Sequence, residues 1–106
     1  PDDYADALRG EAHRLGIGDR VRFHPGVAVT ERHEPMAAAD FFVLPSDTIQ
    51  EAHPNAVGEA LATGLPALLS DWDGLREWID DGVEGFLAPT WIAPAPERVE
   101  ALSVWT

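Results

Sequence analysis

Apolar residues recur along the chain in two rhythms. Tyr4, Leu8, Ala12 and Leu15 return at the three-to-four-residue spacing of a helix face, with Asp6, Arg9 and Arg14 between them. Asp2 and Asp3 suit the start of a helix and Gly16 its end, so an amphipathic helix is predicted over 3–15. Val21–His24 alternates like a short strand, closed by Pro25-Gly26. Glu31–Ala39 reads as a short helix interrupted by Pro35. Phe41-Phe42-Val43-Leu44 is a continuous apolar run stopped by Pro45-Ser46, the pattern of a parallel strand buried on both faces. A helix over 55–63, ending at Gly64, is followed by a buried strand over 67–69 and the polar Ser70-Asp71. A further helix over 73–79 closes at Asp81-Gly82, and 85–87 is the last strand. From Pro89 onward, Pro94 and Pro96 mark a linker or edge segment.

Strands alternating with helices imply βαβ units and a parallel sheet with helices on its two faces. The expected fold is therefore α/β, a three-layer Rossmann-like arrangement. It would be one partial domain over 1–106, with its core in 1–90 and a tail in 91–106. In such sheets ligands bind beyond the carboxyl ends of the strands. That directs attention to Pro25–Val29, Ser46–Asn55 and Ser70–Gly74.

Composition narrows the chemistry. At 106 residues there is room for one small domain. No cysteine is present, which excludes disulfides and thiolate metal sites. The net charge is −12, and all 7 basic residues are arginine. That balance argues against a nucleic-acid partner or an anionic membrane surface. A phosphate group would have to be held by local backbone N–H groups or by chain outside this sequence. No apolar run approaches the roughly 18 residues of a membrane span, so a cytoplasmic protein is the expectation, with membrane association left to any further part of the protein. Because residue 1 is not Met, a targeting segment is not read from this end. His13, His24, His33 and His53 form no i, i+4 ligand pair, and no metal is expected. Ser70 and Asp71 lack a nucleophile-elbow pattern. Asp71 and Asp73 are read as turn chemistry and helix capping. Trp72, Trp78, Trp91 and Trp105 are expected as core or interdomain contacts, with Trp72 also a candidate for lining a cleft.

The richest segment runs from Glu51 to Glu59, two carboxylates separated by seven residues. Ionised carboxylates only accept hydrogen bonds, whereas sugar and ribose hydroxyls donate them. Between the two lies a predicted helix N-terminus, with free N–H groups and a partial positive charge suited to a pyrophosphate. One short segment thus offers acceptors for a hexose, donors for a diphosphate and acceptors for a ribose. Gly58 falls inside this helix at a cost of about 1 kcal/mol against Ala, which points to close packing there.

Four further stretches surround that segment in order: Phe41–Asp47, the Ala60-Leu-Ala-Thr-Gly-Leu-Pro66 run, Ser70–Gly74 and Asp81–Leu87. Together with the upstream Leu15–Gly26, they make the chain resemble the family-4 glycosyltransferases of the GT-B fold over roughly residues 3–90. The resemblance implies the C-terminal, donor-binding half of a retaining enzyme that moves a hexose from a nucleotide diphosphate sugar to a carbohydrate or lipid-linked acceptor. It implies no tightly bound metal or other cofactor. Glu51, the catalytic candidate, would take the hexose hydroxyls, and Glu59 the ribose. Backbone groups at Ala52 and His53 and the helix start at Asn55 and Ala56 would meet hexose and phosphate. Pro25, Gly26 and Val27 would frame the base. The acceptor domain and the family's basic diphosphate residues would lie upstream of residue 1.

The chain departs from the family at Ala52-His53-Pro54, where many members carry Gly-Phe or Phe-Gly. Pro54 has no N–H to offer. A Phe-Pro-Asn form also occurs, and His53-Pro54-Asn55 resembles it with His in place of Phe. His53 is accordingly expected in a substrate or loop-packing contact. Two alternatives stand beside the transferase: a binding or structural domain of the same fold, and another GT-B enzyme such as an epimerase or a phosphorylase.

Overall fold

The computed structural model describes residues 3–24, 26, 28–48, 51 and 53–91. The chain resolves into two compact units, Pro1–Glu31 and Arg32–Thr106.

The first unit holds α1 (Asp3–Arg14) and a 3₁₀ turn, Gly18–Arg20. Asp3 and Asp6 lie in the first turn of α1, and His13 and Arg14 in its last, both favourable to the helix dipole. The helix ends in a Schellman motif. Gly16 N–H donates to the His13 carbonyl and Ile17 N–H to the Ala12 carbonyl, both at 3.0 Å, with Gly16 at φ +69°. The strand expected at Val21–His24 does not form. Val21 is extended (φ −104°, ψ 125°), but among the described residues the strands of the sheet are Phe42–Leu44, Ala67–Asp71 and Gly85–Pro89, all downstream. Extended backbone without a ladder partner is not a strand. The Phe23 ring is instead covered by the Arg9 guanidinium, 4.9 Å from its centroid.

The second unit holds α2 (His33–Ala37), β1 (Phe42–Leu44), α3 (Asn55–Ala62), β2 (Ala67–Asp71), a 3₁₀ turn (Asp73–Glu77) and β3 (Gly85–Pro89). Another 3₁₀ turn, Val29–Glu31, precedes it. Pro35 does not interrupt α2. It sits in the first turn, where an N–H would have no intrahelical partner. The helix expected over 73–79 is the shorter 3₁₀ turn, with Asp73 at φ +42°.

The sheet is parallel in the order β1-β2-β3. Register pairs Phe42 with Ala67 and Gly85, Val43 with Leu68 and Phe86, and Leu44 with Leu69 and Leu87. β2 runs two residues beyond the expected strand, so Ser70 and Asp71 lie inside it and Ser70 is buried. The core gathers Val57 of α3, Ala67 and Leu69 of β2, and Leu75 and Ile79. Phe42, Leu44, Leu61, Trp78 and Leu87 pack around them. Gly64, at φ +86°, ends α3 in a second Schellman motif, through Gly64 N–H to Leu61 and Leu65 N–H to Ala60.

Two contacts fix the spacing of this layer. A Cβ on Gly85 would fall 1.8 Å from the Ala67 carbonyl oxygen, so β3 can approach β2 there only without a side chain. A Cβ on Gly58 would meet the Trp78 ring at 3.0 and 3.1 Å, which accounts for a glycine in the middle of α3. Burial of the strands on both faces, expected from the run at Phe41–Leu44, is not found. The row Val43, Leu68 and Phe86 is exposed, and Phe41, Pro66, Ala67, Leu68, Gly85 and Phe86 line an apolar cleft of about 280 Å³. The apolar run marks a strand correctly, but α3 and the Leu75–Ile79 segment cover only the Leu44–Leu69–Leu87 side.

Candidate functional site

The loop from Pro45 to Pro54 leaves the carboxyl end of β1 and enters α3. Its described part is held by bonds within the loop and by one from Trp72. The Ser46 hydroxyl donates to Glu51 Oε2 at 2.8 Å, in a partly buried bond. Thr48 N–H donates to Ser46 Oγ at 3.4 Å, and Glu51 N–H to the Thr48 carbonyl at 3.2 Å. From the end of β2, the Trp72 indole N–H donates to the same Thr48 carbonyl at 3.0 Å. Glu51 is therefore a half-buried carboxylate with one oxygen engaged. Its Oε1 has no protein partner among the described residues and is free to accept from a ligand hydroxyl.

The N-terminus of α3 follows directly. Pro54 is its cap residue (φ −72°, ψ 109°), and no side chain caps this end. Val57 N–H turns back to the Pro54 carbonyl at 3.1 Å, while Asn55 and Ala56, both exposed, bring first-turn N–H groups that have no intrahelical acceptor. Val57 and Ala60 point into the core. Glu59 lies one turn after Asn55 and shares its face, with 38% of its side chain exposed. Its Oε1 stands 3.8 Å from Arg32 Nη1.

His53 packs against Trp78, with ring centroids 4.8 Å apart and planes tilted by 39°. The two rings, with Gly74 and Glu77, line a cleft of about 240 Å³. This is a loop-packing contact, one of the two roles expected of His53. Glu51, His53, Asn55, Ala56 and Glu59 are thus brought onto one loop–helix unit at the carboxyl end of β1. Ala52, Pro25 and Val27 lie outside the described residues, and Gly26 is exposed in the first unit. The capping expected of Asp71 and Asp73 is absent. The 3₁₀ turn has no side-chain cap, and Asp71 pairs with Arg76, through Oδ1 at 3.3 Å and its carbonyl at 3.0 Å. Among the described residues, no group of three or more His, Asp or Glu side chains is placed to hold a metal. No helix among them is long and apolar enough to cross a membrane.

Sequence reasoning passed over Ser46 as a partner of Glu51, Trp72 as a tie on the loop, and Arg32 beside Glu59. Ser46 stands five residues before Glu51 in the Pro45-Ser46-Asp47 stretch that ends the apolar run, which is a usable local signal. Arg32 and Glu59 are joined only by the fold.

A three-stranded parallel sheet with helices packed on it is the architecture of part of a Rossmann-like α/β domain. The family model for glycosyl transferases group 1 matches residues 1–102, and the chain belongs to that family. It is 37% identical over 108 residues to a D-inositol 3-phosphate glycosyltransferase of Streptomyces griseus, a match covering 92% of this chain and 22% of that protein. A protein of the same name from Geodermatophilus obscurus is 41% identical over 73 residues, covering 69% of this chain and 16% of the relative. The amylovoran biosynthesis glycosyltransferase AmsK of Erwinia amylovora is 46% identical over 55 residues, covering 48% of this chain and 14% of the relative. The chain spans about a fifth or less of the length of these curated relatives. No solved structure matches it.

Proposed function

We propose that this chain is the donor-binding part of a larger retaining glycosyltransferase, which moves a hexose from a nucleotide diphosphate sugar to a carbohydrate or lipid-linked acceptor. The observation that carries the reading is the open N-terminus of α3 set between two carboxylates, Glu51 before it and Glu59 one turn into it. Glu51, steadied by Ser46, accepts from hexose hydroxyls through its unengaged oxygen. The N–H groups of Asn55 and Ala56 and the helix dipole take up charge on the leaving diphosphate, a stabilisation that grows as the sugar–phosphate bond breaks. Glu59 accepts from the two ribose hydroxyls. The rest of the catalysis is positioning: the acceptor attacks from the face of the sugar that the diphosphate leaves.

This reading needs no resident metal or other cofactor. It places the acceptor face and the basic groups for the diphosphate on other parts of the protein, which works in the cytoplasm, where nucleotide sugars are at hand. Membership of the glycosyl transferases group 1 family and the names of the relatives support the transferase over a structural domain.

The test is Glu59→Gln in the complete protein. Glutamine keeps size and helix propensity but replaces an acceptor oxygen with a donor that faces a hydroxyl donor. Affinity for the nucleoside diphosphate should fall with or without the sugar attached. The 2′-deoxy form should lose less, because its contact is already missing. Equal binding by wild type and variant, with no difference between the ribose and deoxyribose forms, would count Glu59 as a solvated helix residue.

A further inference from the structure

Arg32 is the residue that leads into α2, 27 positions before Glu59 in the chain. The fold brings its Nη1 to 3.8 Å from Glu59 Oε1, with both side chains partly exposed (47% and 38%). Two features give this pair more meaning than an incidental surface contact. The chain carries no lysine. Among the described residues of the second unit the guanidiniums are Arg32 and Arg76, and Arg76 is committed to Asp71. Arg32 is thus the guanidinium within reach of the α3 carboxylate in a chain of net charge −12. The separation also matters. At 3.8 Å the pair is held by charge and not by a hydrogen bond, so Arg32 biases the direction of the Glu59 carboxylate without occupying its lone pairs. Those lone pairs stay open to two vicinal hydroxyl donors.

We infer that Arg32 is a positioning residue for Glu59, and that through it Arg32 sets how strongly the site prefers a ribose to a deoxyribose diphosphate. The inference rests on the reading of Glu59 as the ribose acceptor. Arg32 keeps the carboxylate aimed, so that both ribose hydroxyls meet a fixed acceptor. Without it the glutamate samples its rotamers, and the advantage of the 2′-hydroxyl shrinks. Salt should act in the same direction, since a partly exposed pair is screened once the Debye length falls to a few ångströms.

The experiment is a titration of the complete protein with uridine and guanosine diphosphates and their 2′-deoxy forms, in wild type, Arg32→Ala, Arg32→Lys, Glu59→Gln and the Arg32→Ala/Glu59→Gln double variant. Arg32→Ala should weaken ribose-diphosphate binding by about three- to fivefold, the scale of an exposed ion pair. It should reduce the ribose-to-deoxyribose preference by a similar factor. Arg32→Lys should restore most of both. The double variant should bind no worse than Glu59→Gln alone, and its affinity should be less salt-sensitive than that of wild type. A loss in Arg32→Ala that simply adds to that of Glu59→Gln would mean that Arg32 contacts the nucleotide itself, and would overturn the positioning role. Wild-type affinity and preference in Arg32→Ala, with Glu59→Gln impaired, would overturn the role of Arg32 and leave that of Glu59 standing. If Glu59→Gln is also silent, both fall together. A melting curve matching wild type confirms that the exposed substitution leaves the fold intact.

Discussion

The Ser46 hydroxyl donates to Glu51 Oε2 at 2.8 Å, spanning the turn between β1 and α3. A loop carboxylate with free rotamers would lose conformational entropy each time it met a ligand. Here that ordering is done in advance, and on the proposed reading the second oxygen serves the sugar.

Ser46→Ala should therefore lower kcat/KM for sugar transfer by about five- to tenfold, the upper scale of one ordinary hydrogen bond, since the pair is only partly buried. Ser46→Thr, which keeps the hydroxyl, should recover most of the loss. Steady-state kinetics on the complete enzyme check both. A full loss in the threonine variant as well would show that loop packing, not the hydroxyl, matters.

Glu51→Ala should damage transfer more, by about ten- to a hundredfold, because it removes hexose contacts of roughly 1.5–3 kcal/mol. Binding of the sugar-free nucleoside diphosphate should change little, since on the proposed reading Glu51 meets the hexose and not the ribose. Calorimetric titration with and without the sugar separates the two. Equal loss for both ligands would contradict the assignment.

Much of this site is legible in the sequence because its parts lie close together along the chain. Glu51, Asn55 and Glu59 fall within one turn-and-helix segment, where spacing alone decides which residues share a face. Gly58 announced its neighbour by being a helix-interior glycine, and Trp78 is that neighbour. Trp72 was legible only as a tryptophan near the cleft, because its bond to Thr48 crosses between two strand ends. Arg32 was silent for the same reason. Val21–His24 misled because alternation reports the exposure of alternate side chains, not the existence of a ladder partner. Phe41–Leu44 misled in a related way: four apolar residues in a row describe a strand that could be covered on both sides, while Val43 remains open.

Residues 1–106 expressed alone should transfer no sugar. On the proposed reading the acceptor face and the basic groups for the diphosphate lie elsewhere in the protein, and a chain of net charge −12 does not draw in a diphosphate by itself. Incubation with labelled nucleotide sugars and candidate acceptors tests this, and turnover by the purified fragment would sink it.

Gly85→Ala should destabilise the fold by about 3 kcal/mol, the upper range for overpacking, because the new methyl group meets backbone that cannot rotate away. That corresponds to a fall of roughly 6–12 °C in the melting temperature. Differential scanning of the complete protein measures it. A melting point within a degree of wild type would show that β3 can shift away from β2 without cost.

The same close approach shapes how the gene can drift. Every amino acid other than glycine carries a Cβ or its equivalent, and any coding change that alters this residue must therefore put an atom where the Ala67 carbonyl already stands. Third-base changes in the codon are silent, while first- and second-base changes replace the residue or end the chain. Among functional descendants of this sequence, the codon should thus wander freely in one letter and stand still in the other two, unless Ala67 and the strand around it move as well.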